Sequence, residues 1–145
     1  MTLANDREQL EQVGVHVVEL QTIAAPIGDL SIAEIGKQLP FAPRRYFVVY
    51  GVPENAVRGQ HAHRVQHQYL TCVRGSCRVR VENGRSQAEI VLDSPRFGLH
   101  VPPRIWASQF DYSADAVLLV LSSDVYDESE YIRDYDEFLS IAGAR

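Results

Sequence analysis

The stretch from Cys77 to Leu92 constrains the fold more than any other. Cys77, Val79 and Val81 alternate with Arg78, Arg80 and Glu82. That period of two belongs to a half-buried strand, because successive side chains leave a pleated backbone on opposite faces. Asn83-Gly84 follows at once, the strongest short signal for a two-residue hairpin turn. Ala88, Ile90 and Leu92 resume the apolar face on the return strand.

The surrounding sequence reads the same way. Arg45 to Tyr50 is β-branched and aromatic and stops at Gly51-Val52-Pro53; Gln66 to Val73 is closed by Arg74-Gly75. Gly98 to Val101 and Ile105 to Phe110 are strands interrupted by Pro102-Pro103. Ala116 to Ser122 is an almost continuous apolar run, which predicts burial on both faces. From Tyr126 to Ala144 the chain is acidic and aromatic. Tyr131, Tyr135, Phe138 and Leu139 recur there at roughly helical spacing, predicting a short helix packed on the strands. Asp29 to Leu39 fits either one or two strands or a helical turn through Ile32, Ile35 and Gly36. Many short strands with regular turn signals predict an all-β jelly roll or β-barrel with a short C-terminal helix, formed as one domain over residues 1–145, with room for a ligand in its mouth.

Composition narrows the partners. A net charge of −5 argues against nucleic acid. Ten arginines between Arg44 and Arg104 nevertheless face only Glu54, Glu82, Glu89 and Asp93, a basic middle that suits an anion site such as a diphosphate pocket. Arginines alternating outward on strands would give the same count. No apolar run approaches the ~20 residues that span a bilayer, and Met1 to Leu10 is too polar for a signal peptide, so a cytoplasmic protein without membrane contact is expected. Cys72 and Cys77 make no disulfide framework and read as small apolar side chains.

Chemistry concentrates at Arg58-Gly59-Gln60-His61-Ala62-His63. Residues two apart in an extended segment share a side, so His61 and His63 converge. Two imidazoles can ligate a metal or divide proton transfers near neutral pH; a pair of merely hydrogen-bonded surface histidines is the plain alternative. Gln68 follows His63 after four residues, Gly75 follows Gln68 after six, and Pro95-Arg96-Phe97-Gly98 comes later. This layout resembles the two motifs of the cupin family. A metal-binding cupin would carry glutamate at Gln68 and histidine at Ala107. With both replaced no metal is expected, though a register shift could bring His67 or His100 to one ligand position.

The Arg58–His63 motif, the Pro95–Pro103 stretch, the Asp115–Val120 run and the ending Tyr126 to Phe138 are together similar to the cupin sugar 3,4-ketoisomerases, from about Val17 to Phe138. The resemblance implies a dTDP-4-keto-6-deoxyglucose substrate, no cofactor, a homodimer, and a place in bacterial surface-sugar (lipopolysaccharide) or antibiotic-sugar synthesis. It implies that His61 takes the C3 proton of a 4-keto sugar and that His63 moves the hydroxyl proton. Arg58, Arg45 or Gln68 would stabilise the oxyanion, and Arg45 and Arg74 would grip the diphosphate. His100, in the strand after Gly98, would line the pocket and influence the face of C4 that is protonated, or else be an ordinary strand histidine. Some members carry a functional tyrosine at the position of Phe47; here Tyr46 or Tyr69 would have to supply a phenol. Trp106 reads as a base-stacking residue or, more commonly for a barrel, as core. An epimerase on a related keto sugar and a non-catalytic nucleotide-sugar-binding cupin are the competing readings.

Overall fold

The Cys77–Leu92 hairpin forms as its alternation predicts: β7 (Cys77–Glu82) pairs with β8 (Gln87–Leu92), Cys77 opposite Leu92 and Glu82 opposite Gln87. The turn differs. Pairing stops at Glu82, and residues 83–86 form the loop. The Asn83 amide donates to the Ser86 carbonyl, and its side-chain oxygen accepts from the amides of Arg85 and Ser86. Asn83 thus closes the loop with its side chain, and Gly84, at φ +91°, lies against Ala142.

The computed structural model describes residues 3–143. In chain order the other elements are α1 (Leu3–Val13), β1 (His16–Glu19), β2 (Gln21–Ala25), β3 (Gly28–Ile32), β4 (Arg45–Tyr50), β5 (Arg58–His63), β6 (Gln68–Arg74), β9 (Phe97–Val101), β10 (Trp106–Phe110), β11 (Val117–Ser122), β12 (Tyr131–Ile132) and α2 (Tyr135–Gly143). One antiparallel sheet runs β1-β9-β6-β11-β4 and a second β12-β5-β10-β7-β8. Their inner faces share one core, with Leu70, Cys72, Leu99, Leu118 and Val120 meeting Val79, Val81, Ile90 and Leu92. Burying each such side chain stabilises the fold by roughly 1.5–3 kcal/mol relative to exposure. This is the two-sheet jelly roll expected from the strand pattern. The two cysteines are free and buried in that core. No helix among the described residues is long and apolar enough to cross a membrane.

Three elements depart from the sequence reading. An N-terminal helix, α1, closes one end of the core with Leu10 and Val13, both almost fully buried. It ends at Gly14, φ +95°, where the amides of Gly14 and Val15 both reach the Leu10 carbonyl. In β11 only alternate residues are fully buried: Leu118, Val120 and Ser122 face inward, and the opposite face is half-open. The tail is not one helix. Asp127 caps a 3₁₀ turn over Glu128–Glu130, Tyr131 and Ile132 form β12 against β5, and Asp134 accepts the Glu137 amide where α2 begins. Two capping aspartates therefore divide what aromatic spacing suggests is continuous. The last residue of the expected helix, Ala144, lies outside the described residues. In the undecided segment, Gly28–Ile32 is a strand, paired with β2 in a hairpin that stands apart from both sheets and exposes Ile27 at its tip.

Candidate active site

β5 carries both histidines, and a defect in its pairing aims them. The register with β10 jumps from His61↔Ala107 to Gly59↔Ser108, leaving Gln60 as the extra residue of a β-bulge. Gly59 and Gln60 both have positive φ, +79° and +57°. A Cβ on Gly59 would stand 2.8 Å from the Ala107 carbonyl oxygen, which explains the glycine. Beyond the bulge, Ala62 faces outward into a cluster with Ile132, Phe138 and Ala142, while His61 and His63 face the interior. The strand is thus held from behind by β12 and α2.

The imidazoles lie 5.1 Å apart between ring centroids, edge to face. His63 is 7% exposed. Both of its ring nitrogens, and Nδ1 of His61, are buried with no hydrogen-bond partner among the described residues. Unpaired buried nitrogens cost stability, so a site that keeps them is arranged for a ligand or a proton. Burial lowers the His61 pKa, the Gly59 backbone opposing it and the Arg133 charge adding to it. Burial, helped by the charges of His61, Arg45 and Arg133, lowers His63 to about 3. At neutral pH both rings are uncharged bases.

A narrow inner cavity of ≈ 80 Å³ holds the pair, with Gln68, Arg58 and Gln109 as further polar groups and an apolar wall that includes Phe47 and Leu118. An adjoining outer cleft of ≈ 380 Å³ shares Phe47, Arg58, His61 and Gln68 and adds Tyr131 and Arg133. Among the described residues no three histidine, cysteine or carboxylate side chains converge as a metal centre requires; Gln68 and Ala107 occupy the wall instead.

Of the residues singled out from sequence, His61, His63, Phe47, Arg58 and Gln68 come together here. Three do not. Arg45 lines neither cavity: its Nη2 donates to Gln66 Oε1 at 3.2 Å and Ser122 Oγ at 3.3 Å. Arg74 is exposed at the far end of β6 beside Asp115, at 3.7 Å. His100 faces the outside of its sheet, because Leu99 and Val101 on either side point inward; its Nε2 lies 2.9 Å from His67 Nδ1. Neither Tyr46 nor Tyr69 puts a phenol in the cavity: Tyr46 is 70% exposed, and Tyr69 is buried with its hydroxyl against Gly98. Trp106 packs on Tyr135 and Phe138 beneath α2.

The sequence reading missed Tyr131 and Arg133. β12 pairs Tyr131 with His63 and sets its ring 4.9 Å from His61 and 4.6 Å from His63. The only sequence signal was alternation over three residues, Tyr131-Ile132-Arg133, too short to outweigh the helical spacing of the aromatics.

Comparison with known proteins gives the same answer. The family model described as "FdtA: WxcM-like, C-terminal" matches residues 13–143. The TDP-4-oxo-6-deoxy-alpha-D-glucose-3,4-oxoisomerase of Aneurinibacillus thermoaerophilus is 42% identical over 122 residues, covering 84% of this chain and 88% of the relative. A crystal structure of a mutant of the 3,4-ketoisomerase QdtA from Thermoanaerobacterium thermosaccharolyticum, in complex with TDP-4-keto-6-deoxyglucose, superposes with TM-score 0.88 at 34% identity, covering 90% of this chain and 95% of that one. WlaRA, a TDP-fucose-3,4-ketoisomerase from Campylobacter jejuni, gives 0.84 at 29% identity, covering 88% and 95%. The match runs through both sheets and the histidine strand alike, and the chain belongs to the FdtA family of cupin-fold sugar 3,4-ketoisomerases.

Proposed function

We propose that this protein interconverts the 4-keto and 3-keto forms of a dTDP-linked 6-deoxyhexose, with dTDP-4-keto-6-deoxyglucose as substrate. The observation that carries the reading is the pair of neutral, convergent imidazoles whose buried nitrogens are unpartnered. His61 removes the proton from C3, next to the ketone. The electron pair forms a C3–C4 double bond, and the carbonyl oxygen at C4 becomes the enediolate oxygen. Return of a proton to C4, with the hydroxyl proton moved from the C3 oxygen to the C4 oxygen by way of His63, leaves the ketone at C3. Atoms and electrons balance within the sugar, so this route needs no redox partner. Gln68 and Arg58 face the same space and offer hydrogen bonds to the developing oxyanion.

The two-part cavity supports a nucleotide sugar: the inner space takes the reacting edge of the hexose, and the outer cleft, with Arg58 at its wall, takes the diphosphate. The QdtA structure, which contains TDP-4-keto-6-deoxyglucose, supports the same substrate class. We place the protein as a cytoplasmic homodimer serving deoxysugar synthesis such as that of lipopolysaccharide. The open apolar face formed by Val48, Tyr50 and Leu119, together with the projecting β2–β3 hairpin, supports self-association.

Incubation with dTDP-4-keto-6-deoxyglucose in deuterated water, followed by proton NMR, tests the reaction. The expected result is loss of the C3 proton signal and deuterium at C4 of a 3-keto product. Saturable binding without exchange would sink the isomerase reading and leave a binding protein.

A further inference from the structure

The reaction proposed above puts negative charge on the C4 oxygen as the C3 proton leaves, and the cavity must meet that charge. His61 and His63 are acceptors at that moment or are already engaged with protons, which leaves Gln68 and Arg58 on the inner wall as donors. One more group reaches the site. Tyr131 lines the cleft and touches the edges of both imidazoles, with ring centroids 4.9 and 4.6 Å away. Two independent constraints hold it there. Its backbone is locked to His63 in the β5–β12 pairing. Its ring face is covered by the Arg133 guanidinium at 4.5 Å, and Arg133 is in turn anchored by Nε to Glu128 Oε1 at 3.0 Å. The neighbouring hydroxyls of Tyr126 and Tyr135 are tied to Glu128 and Glu82, whereas that of Tyr131 has no protein partner among the described residues.

We infer that Tyr131 is a third catalytic residue, whose hydroxyl donates a hydrogen bond to the sugar oxygen that becomes negative in the enediolate. The arrangement suits that role. A phenol donates strongly to an oxyanion, and a cation stacked on its ring favours negative charge gathering at its hydroxyl end. Arg133 acts through Tyr131 and is a positioning residue.

The inference rests on the proposed reaction, and Tyr131→Phe in the full-length protein separates the two. The phenylalanine keeps the ring, the pairing and the cation contact. The expected result is a kcat lower by about 10²-fold, the usual effect of deleting one oxyanion donor. KM should change less than about threefold and the thermal midpoint should stay put. Deuterium exchange at C3 should slow in parallel with turnover. A variant with wild-type kcat, or one that raises KM with kcat retained, would overturn the inference while leaving the isomerase intact. A lower thermal midpoint with turnover recovered on cooling would show a structural role only, and would overturn it too. Wild-type protein that neither turns over nor exchanges would remove the reaction itself.

Discussion

Glu130 accepts the backbone amide of Gln66 at 2.7 Å, so a buried carboxylate closes the turn that follows His63. The same oxygen takes the Val65 amide, and the Glu130 carbonyl takes that of Arg64. Three consecutive amides beyond the histidine strand are thus satisfied by one residue, which itself stands immediately before Tyr131. Glu130→Ala leaves the buried Gln66 amide and the part-buried Val65 amide unpaired and should cost on the order of 1–3 kcal/mol, most of it from Gln66. Chemical denaturation would measure it. Glu130→Gln keeps an acceptor and should recover part of the loss, with activity following stability in both variants.

His61→Asn should nearly abolish turnover while leaving nucleotide-sugar affinity close to wild type, because the base is removed and the cavity keeps its size. His63→Asn should slow turnover strongly. Single-turnover kinetics alongside calorimetric binding separates the two effects. Near-wild-type activity in His61→Asn would show that the carbon base is another group.

Burial also makes stability depend on acid. His63 titrates at about 3 and His100 at about 4 in the folded protein, both depressed chiefly by burial, against an ordinary value of 6.5. Between those values and 6.5 the unfolded chain binds protons that the folded chain refuses, so stability falls as pH drops from 6.5 toward 4. Each such site contributes at most about 1.4 kcal/mol per pH unit in that window. Thermal midpoints from pH 7 to 4.5 should decline less steeply in His63→Asn than in wild type. Parallel curves would mean that the ring is solvated enough to protonate in place.

The outer face of the β4-β11 pair bears Tyr46, Val48 and Tyr50 opposite Leu121, Leu119 and Val117, with no covering element among the described residues. Sedimentation should find a particle of twice the 16.3 kDa chain mass. Val48→Asp should shift it toward the monomer by placing a charge in the middle of this open patch. A wild-type monomer at micromolar concentration would refute the dimer.

What could be read from sequence followed the strength of local periodicity. Cys77 to Leu92 alternates over two full strands, so the hairpin and its buried face were legible residue by residue, while the four-residue loop set a register that a two-residue turn would not give. His61 and His63 were legible because two residues of one type at spacing two have few uses on a strand. His100 was misplaced by strand parity: β9 starts at Phe97, which sends Leu99 and Val101 inward and His100 out, and a one-residue slip exchanges the faces. Arg74 and Arg45 illustrate that charge in the sequence says nothing of direction; one points to solvent, and the other spends its hydrogen bonds on Gln66 and Ser122. The helix α1 was missed because its buried contacts at Leu10 and Val13 are embedded among polar residues. Tyr131 was missed because a two-residue strand owes its existence to a partner distant in the chain.

That distant partner imposes an order on how the molecule is made. The outer edge of the histidine strand is occupied by Tyr131 and Ile132, and the back of Ala62 is covered by Phe138 and Ala142. A nascent chain that has emerged only as far as β11 already holds His61 and His63, together with the sheets that surround them. The β5–β10 bulge that aims them is already there, but the edge strand and the cover that hold the histidine strand from outside are not. Long-range pairings of this kind form late, after the loop between them has been closed. A translation product stopped short of residues 131–142 would carry both bases on a strand with an open edge and an uncovered back.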